Sequence, residues 1–260
     1  MTVLGAPNVL LVEGKSGELL EKIAGESEQP RADIMFGGGG DSLEDHRELF
    51  AAYRSDQCAA ITHPGFCGTE NRWTGFSVLP LVFVYNPKLV GEQDAPTAWK
   101  NLTDSRWAGR IAFASPAVSG SCYTALATAV QLYGEGFAAD FARNLAGRCV
   151  DGSGDIIPLV ADGSYSVGVT LESTVQKAIA DGADVAYLYP EDGTSAVADG
   201  VAILENAPHR ENAERFVDFV LGRDAQSFLC ETIKRRPVRD DITIKGEYKL
   251  ENLNLKPQIM

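Results

Sequence analysis

Short apolar runs that alternate with helix-like segments constrain the fold of this chain more than any other feature. Residues 9–13 and 32–36 have the composition of strands, and residues 18–24 between them carry apolar side chains at helical spacing. A second helix is predicted to begin at Asp41, directly after a run of glycines. Strands that alternate with helices predict an α/β fold with a mostly parallel sheet covered by helices.

The same order recurs later in the chain with a turn of unusual composition. Residues 111–114 predict a strand, and residues 125–133 predict a helix. The turn between them places free backbone N–H groups at the carboxyl edge of a sheet, which suits an anion without any basic side chain. Helix capping by Ser and Thr is the simpler alternative. The candidate ligand-binding residues in this turn are Ser119, Gly120, Ser121 and Thr124.

The acidic balance of the chain excludes one large class of partners. Its 36 acidic and 23 basic residues leave a formal net charge of -13, whereas nucleic acid is bound by clustered Lys and Arg. No run approaches the ~20 apolar residues that span a bilayer. Residues 1–7 lack the charged start and apolar centre of a signal peptide. We therefore expect no nucleic-acid binding and no signal sequence in this chain.

The cysteines argue against a metal site and against catalysis. Five cysteines without Cys-x-x-Cys spacing predict neither a structural zinc site nor a dense disulfide framework. Cys58 and Cys67 are close together in a predicted loop, which leaves one disulfide open. His63 and Cys67 lack an identifiable third partner that would orient a nucleophile. No metal, cofactor or enzymatic activity is therefore expected.

A chain of 260 residues is long enough for two lobes. Residues 76–86 are long for one strand and contain Pro80, which is expected to break the strand and let the chain cross to a second lobe. Residues 200–204 are extended and are expected to form the return crossing. The predicted first lobe comprises residues 1–79 and 200–260, and the second comprises residues 80–199.

Five short motifs together resemble the type-2 extracellular solute-binding proteins of bacterial ABC importers, in the branch for ferric iron, phosphonates and hexose phosphates. The resemblance implies two α/β lobes with two hinge crossings that close over a small anionic solute. It also implies a periplasmic or extracellular location, with lipid anchoring left open, and an ABC permease in the membrane as partner. The motifs are residues 119–124, 167–170, 189–194, 215–220 and 235–239.

The chain departs from this family pattern in two places. A strand–helix unit that normally precedes the match to residues 9–24 is missing, so the architecture is expected to be N-terminally incomplete. An unpaired inner strand would favour a dimer or a domain swap. Residues 171–173, Leu-Glu-Ser, stand where ferric receptors of the family carry adjacent tyrosines. A phosphorylated or phosphonate solute is thus favoured. The alternatives are a ferric receptor that uses carboxylates and a bound anion, or a truncated member with impaired binding.

Six more residues are candidate ligand contacts. Three glycines after the second strand would shape the wall of the first lobe, or form a plain turn. Glu172 would accept hydrogen bonds from a ligand, or be a solvated acid at a helix start. Asp155 would face the ligand or cap a helix. The six are Gly38, Gly39, Gly40, Asp155, Glu172 and, in the turn before the return crossing, Thr194.

Overall fold

The computed structural model describes residues 9–243 and 254–255, apart from the side chain of residue 197. Helices and strands alternate along much of the chain, as the apolar pattern predicts. The helices are α1 Ser16–Gly25, α2 Gly40–Asp45, α3 Gly120–Tyr133, α4 Glu135–Leu145, α5 Ile156–Ala161, α6 Glu172–Ala180, α7 Arg210–Leu221 and α8 Arg223–Ile233. The strands are β1 Ile34–Gly39, β2 Thr74–Tyr85, β3 Ile111–Ala112, β4 Val167–Leu171, β5 Ala186–Leu188 and β6 Ala196–Ile203.

The described chain divides into two compact units. β2 leads from the first unit to the second, and β6 leads back. The unit boundaries fall at 77/78 and 197/198, close to the predicted lobe boundaries at 79/80 and 199/200. Residues 228–236, predicted in the first lobe, group with the second unit. The first unit contains residues 9–77, 198–227 and 237–242, and the second contains residues 78–197, 228–236, 243 and 254–255.

The first unit is built on β1 and β6, which pair antiparallel with Ile34 opposite Ile203. The register shifts between Phe36 and Gly39, where the strand runs into the glycines. Helix α7 buries one apolar face in this unit. The buried residues of that face are Ala213, Val217, Val220 and Leu221.

The second unit places two helix starts at one edge of its sheet. β2 pairs antiparallel with β4 and β5, whereas β3 runs parallel to β4 with Ile111 opposite Val167. β3 leads into α3, and β4 leads directly into α6 at Glu172. Because the carboxyl ends of parallel neighbours meet at the same edge, α3 and α6 both begin there.

Three predictions about strands are wrong. The sheet is not mostly parallel, because β1 with β6, β2 with β4 and β2 with β5 all pair antiparallel, whereas β3 with β4 is parallel. Residues 9–13 form no strand, and Leu10 is 92% exposed, because apolar composition alone does not supply a pairing strand. Pro80 does not break β2, which continues to Tyr85. Proline cannot donate to a ladder, but the neighbouring amides of Val78 and Leu81 donate to distant carbonyls at 2.9 and 3.1 Å and hold the strand.

Candidate functional site

Ser119 shapes the start of α3 as its N-cap residue. Its hydroxyl oxygen accepts a hydrogen bond from the Cys122 amide at 3.3 Å and lies 3.2 Å from the Ser121 hydroxyl. The Ser119 side chain is buried. Ser119 therefore fixes the turn and caps the helix, as the simpler alternative for this residue predicts.

The first two amides of α3 are uncommitted. Within residues 9–243 and 254–255, the N–H groups of Gly120 and Ser121 have no hydrogen-bond partner. Gly120 is exposed, and a Cβ added to it would meet no atom within 4 Å. Thr124 instead donates its hydroxyl to the Gly120 carbonyl at 3.1 Å, which commits that proton inside the helix. The open amide pair thus carries the positive end of the helix dipole.

Two exposed side chains beside these amides were not among the sequence candidates. Tyr123 is 64% exposed and Val118 is 46% exposed. An exposed tyrosine offers an apolar ring together with a polar hydroxyl, which suits the organic part of a solute. An aromatic residue two positions after the Ser-Gly-Ser turn was the signal that could have identified it.

Glu172, the first residue of α6, is buried in an ion pair. Its carboxylate accepts two hydrogen bonds from Arg236, from Nε to Oε2 at 2.6 Å and from Nη2 to Oε1 at 2.8 Å. The side chains of Glu172 and Arg236 are only 3% and 6% exposed. The alternative of a solvated helix-start acid is therefore wrong, because the acid is desolvated and its charge is neutralised within the unit.

Polar side chains complete the environment of this ion pair. Gln176 Nε2 donates to Glu172 Oε1 at 3.0 Å, and the Tyr189 hydroxyl also donates to Oε1. Burial, then the charge and hydrogen bond of Glu172, raises the pKa of Tyr189. Burial acts to lower the pKa of Arg236, but its hydrogen bonds and attraction to Glu172 bring the pKa above its ordinary value. Sequence reasoning named Glu172 but missed Arg236 and Tyr189.

Thr194 and Asp155 differ in burial and in the backbone groups that they bond. Thr194 is buried, and its hydroxyl donates to the Leu81 carbonyl at 2.8 Å, so its proton holds backbone in place. Asp155 is exposed and precedes α5 without a side-chain cap of that helix. Its carboxylate accepts a hydrogen bond from the Gly152 amide at 3.1 Å and from no amide of α5. The alternative that the Asp155 side chain caps α5 is therefore wrong.

The predicted glycines of the first unit lie where β1 meets α2. Gly38 has φ +95°, a conformation that side-chain-bearing residues rarely adopt. Gly39 is the N-cap residue of α2. A Cβ on Gly40 would lie 2.5 Å from the Trp73 ring, so close packing requires a glycine there. Local backbone geometry and packing account for Gly38 and Gly40.

Four of the sequence candidates meet at the start of α3, namely Ser119, Gly120, Ser121 and Thr124. Glu172 lies at the start of α6, on the same sheet edge. Among the residues that the structure describes, no group of three or more His, Cys, Asp or Glu could hold a metal ion. None of the helices in the described ranges is long and apolar enough to cross a bilayer.

Known proteins resemble this chain in sequence and in fold. Residues 40–252 match the family described as "Bacterial extracellular solute-binding protein". An uncharacterized protein of Haemophilus influenzae is 31% identical over 228 residues, which cover 83% of this chain and 65% of that protein. Iron uptake protein A1 of Synechocystis sp. is 28% identical over 270 residues, which cover 95% of this chain and 74% of that protein.

The fold of this chain matches that of a solved structure. The periplasmic binding protein AfuA from Actinobacillus pleuropneumoniae, with exogenous fructose-6-phosphate bound, matches with a TM-score of 0.83 and 28% identity. The match covers 94% of this chain and 81% of AfuA. The predicted α/β fold of the type-2 periplasmic binding proteins is thereby confirmed. The chain belongs to the bacterial extracellular solute-binding protein family.

Proposed function

We propose that this chain is the solute-binding receptor of a bacterial ABC importer and that it captures a small organic anion with a phosphate or phosphonate group. The start of α3 carries the proposal. Two amides without partners, the Ser121 hydroxyl and the open face of Gly120 form an uncharged donor set at the positive end of a helix. Such donors suit a phosphate group, whose oxygens accept several hydrogen bonds at once.

Family membership makes the chain a binding protein of the periplasm or cell exterior rather than an enzyme. A sugar phosphate is supported by the fructose-6-phosphate in AfuA, which is 28% identical. In the proposed complex the phosphate accepts from the Gly120 and Ser121 amides, while Tyr123 covers the organic part. An ABC permease is the proposed membrane partner, because receptors of this kind deliver their solute to one.

A ferric receptor is the second candidate, favoured by the 28% identity to Iron uptake protein A1. Its carboxylate version is weaker, because Glu172 is already neutralised by Arg236. The described residues also contain no cluster of His, Cys, Asp and Glu suited to a metal ion. The comparisons lend no support to a dimer.

Isothermal titration of the full chain distinguishes these candidates. The probes are fructose-6-phosphate, 2-aminoethylphosphonate, inorganic phosphate and ferric citrate. We expect at least one phosphate ester or phosphonate to bind with a Kd of about 1 µM or tighter, equivalent to roughly 8 kcal/mol. Binding of ferric citrate, without binding of any phosphorus compound, would replace the proposal with the ferric one, and a tyrosinate-to-iron visible band would show that phenolates take part. Binding of none of the four would favour the impaired-binding alternative.

A further inference from the structure

Three residues of α3 lie in one row along the helix and are joined by hydrogen bonds. Gly120, Thr124 and Thr128 are spaced by four positions, which places them on the same face. The Thr124 hydroxyl donates to the Gly120 carbonyl at 3.1 Å, and the Thr128 hydroxyl donates to the Thr124 carbonyl at 2.7 Å. Gly120 is exposed, whereas Thr128 is only 1% exposed. The row therefore runs from the open amides into the interior of the second unit.

A second hydroxyl meets Thr128 at the buried end of this row. Ser195 Oγ lies 2.6 Å from Thr128 Oγ1, and Ser195 is also buried. Because the single proton of the Thr128 hydroxyl goes to the Thr124 carbonyl, Ser195 is the donor in the bond between the two hydroxyls. Removal of the Thr128 hydroxyl would leave the buried Ser195 proton without this acceptor, which is costly.

Ser195 is in turn fixed to β2 through the backbone. The Leu81 amide donates to the Ser195 carbonyl at 3.1 Å, and the Thr194 hydroxyl donates to the Leu81 carbonyl at 2.8 Å. Ser195 also directly precedes β6. The bond from Thr128 therefore joins α3 to β2 and to the start of β6, and all of these residues belong to the second unit.

Apolar packing of α3 does not fix its position along its own axis. The other buried residues of the helix have small side chains, and their contacts are non-directional, whereas a hydrogen bond fixes both distance and direction. These residues are Cys122, Ala125 and Ala129.

We propose that Thr128 is a positioning residue that, through Ser195, holds the two open amides of α3 in the geometry that a phosphate or phosphonate group requires. This inference rests on the proposed function of the α3 start. Thr128 acts at a distance, because it is buried and lies about two helical turns from Gly120.

Two substitutions at Thr128 separate positioning from stability. Thr128→Val keeps the shape of the side chain but removes its hydroxyl, so we expect the Kd for fructose-6-phosphate to rise about fivefold. Thr128→Ser keeps the hydroxyl but removes a buried methyl group, so we expect a Tm lower by about 3 °C with most of the affinity retained. Isothermal titration and thermal unfolding measure both variants. Equal Kd values for the two variants would overturn the proposal.

Ser195→Ala removes the other half of the same bond. We expect Thr128→Val and Ser195→Ala to raise the Kd about fivefold each and about fivefold in combination, because both act through one contact. A combined rise equal to the product of the two single rises would overturn the proposal. Tyr133→Phe is the matched control. It removes an exposed hydrogen bond of 2.6 Å from the last residue of α3 to Asp192, and we expect it to leave the Kd unchanged.

Amide hydrogen exchange of the unliganded chain tests the inference separately from the proposed function. The amides of Cys122 and Tyr123 donate to Ser119 at the start of α3, at 3.3 and 2.9 Å. We expect Thr128→Val to speed their exchange about fivefold and Tyr133→Phe to leave it unchanged. Unchanged exchange in Thr128→Val would overturn the positioning role. Faster exchange, with no binding of fructose-6-phosphate or 2-aminoethylphosphonate by the wild type, would support that role and refute the proposed function instead.

Discussion

Helices α3 and α6 begin at the same sheet edge of the second unit, but the side chains at their N-terminal ends differ in charge and in burial. α3 begins with Ser119 as an uncharged cap and leaves two amides open. α6 begins with a buried carboxylate, Glu172, whose charge is matched by Arg236. The first helix end is exposed at Gly120 and so open to an external anion, whereas the second begins with two buried residues, Glu172 and Ser173.

This difference separates a binding role from a structural one. A negative group gains from a helix N-terminus whether it comes from a ligand or from a side chain. At α6 the Glu172 carboxylate bonds the side chains of Gln176 and Arg236 rather than an amide of the helix, and Arg236 joins residues 228–236 to the sheet edge of the same unit. We expect changes at α6 to affect stability mainly, and changes at α3 to affect affinity mainly.

The largest effect is expected from Arg236→Met, which leaves Glu172 buried without its cation. Removing one partner of a buried ion pair typically costs about 3–5 kcal/mol, because the remaining charge is desolvated and unpaired. Urea unfolding followed by fluorescence measures the loss. A change below ~1 kcal/mol would contradict the structural role of the pair.

Two variants serve as controls for that experiment. Asp140→Asn breaks the exposed pair with Arg143, at 2.9 Å, and is expected to cost less than ~1 kcal/mol. Combining Arg236→Met with Glu172→Gln removes both charges and is expected to recover part of the stability. Full additivity of the two substitutions would show that the charges are not coupled.

Gly120→Ala is expected to weaken ligand binding without harming the fold. Its methyl group meets no protein atom within 4 Å, so it would intrude only on a bound ligand. We expect the Kd of the phosphorus ligand to rise about 10–100-fold, or ~1.4–2.7 kcal/mol. Stability should hold or improve, since Ala is favoured over Gly in helices by roughly 0.5–1 kcal/mol.

Gly136→Ala is the matched control for Gly120→Ala. Gly136 lies in the first turn of α4, and an added Cβ there also meets nothing within 4 Å. It is expected to leave binding unchanged and, like Gly120→Ala, to hold or slightly raise stability. Equal affinity of both variants in isothermal titration would remove α3 from the binding site.

Tyr189→Phe tests the surroundings of the Glu172–Arg236 ion pair at alkaline pH. Tyr189 has a folded pKa above the ordinary 10.0, so its contribution to stability is present below about pH 10 and is lost as pH rises through the folded value. We expect the wild type to lose stability relative to Tyr189→Phe above about pH 10, since unfolding frees the phenol to ionise. Denaturant midpoints across that pH range measure it. Parallel pH curves for the two proteins would contradict the raised pKa.

The fold was largely predictable because its signals are local. Apolar spacing located helices such as α1 and strands such as β1 from a few residues each. The errors concern pairing over long distances in sequence. β2 survives Pro80 because the Val78 amide donates to the carbonyl of Arg236, which no local pattern reveals.

The candidate site shows the same contrast between local signals and contacts of distant segments. The strand, small-residue turn and helix around α3 lie together in sequence, so Gly120 and Ser121 could be found from it. The partner of Glu172 lies 64 positions away, so the sequence showed an acid at a helix start but not its neutralisation. Charge compensation between distant segments is where sequence reasoning failed.

The smallest expected effects separate the two serines at the start of α3. Ser119→Ala removes the cap of the Cys122 amide and is expected to cost about 1 kcal/mol of stability. Ser121→Ala leaves that cap intact but removes a hydroxyl beside the open amides, so stability should hold while affinity falls about fivefold, near 1 kcal/mol. Urea unfolding should show the stability loss in Ser119→Ala, and isothermal titration should show the affinity loss in Ser121→Ala. If Ser121→Ala instead destabilised the chain as much as Ser119→Ala, its hydroxyl would belong to the cap, and only the amides of α3 would remain for a ligand.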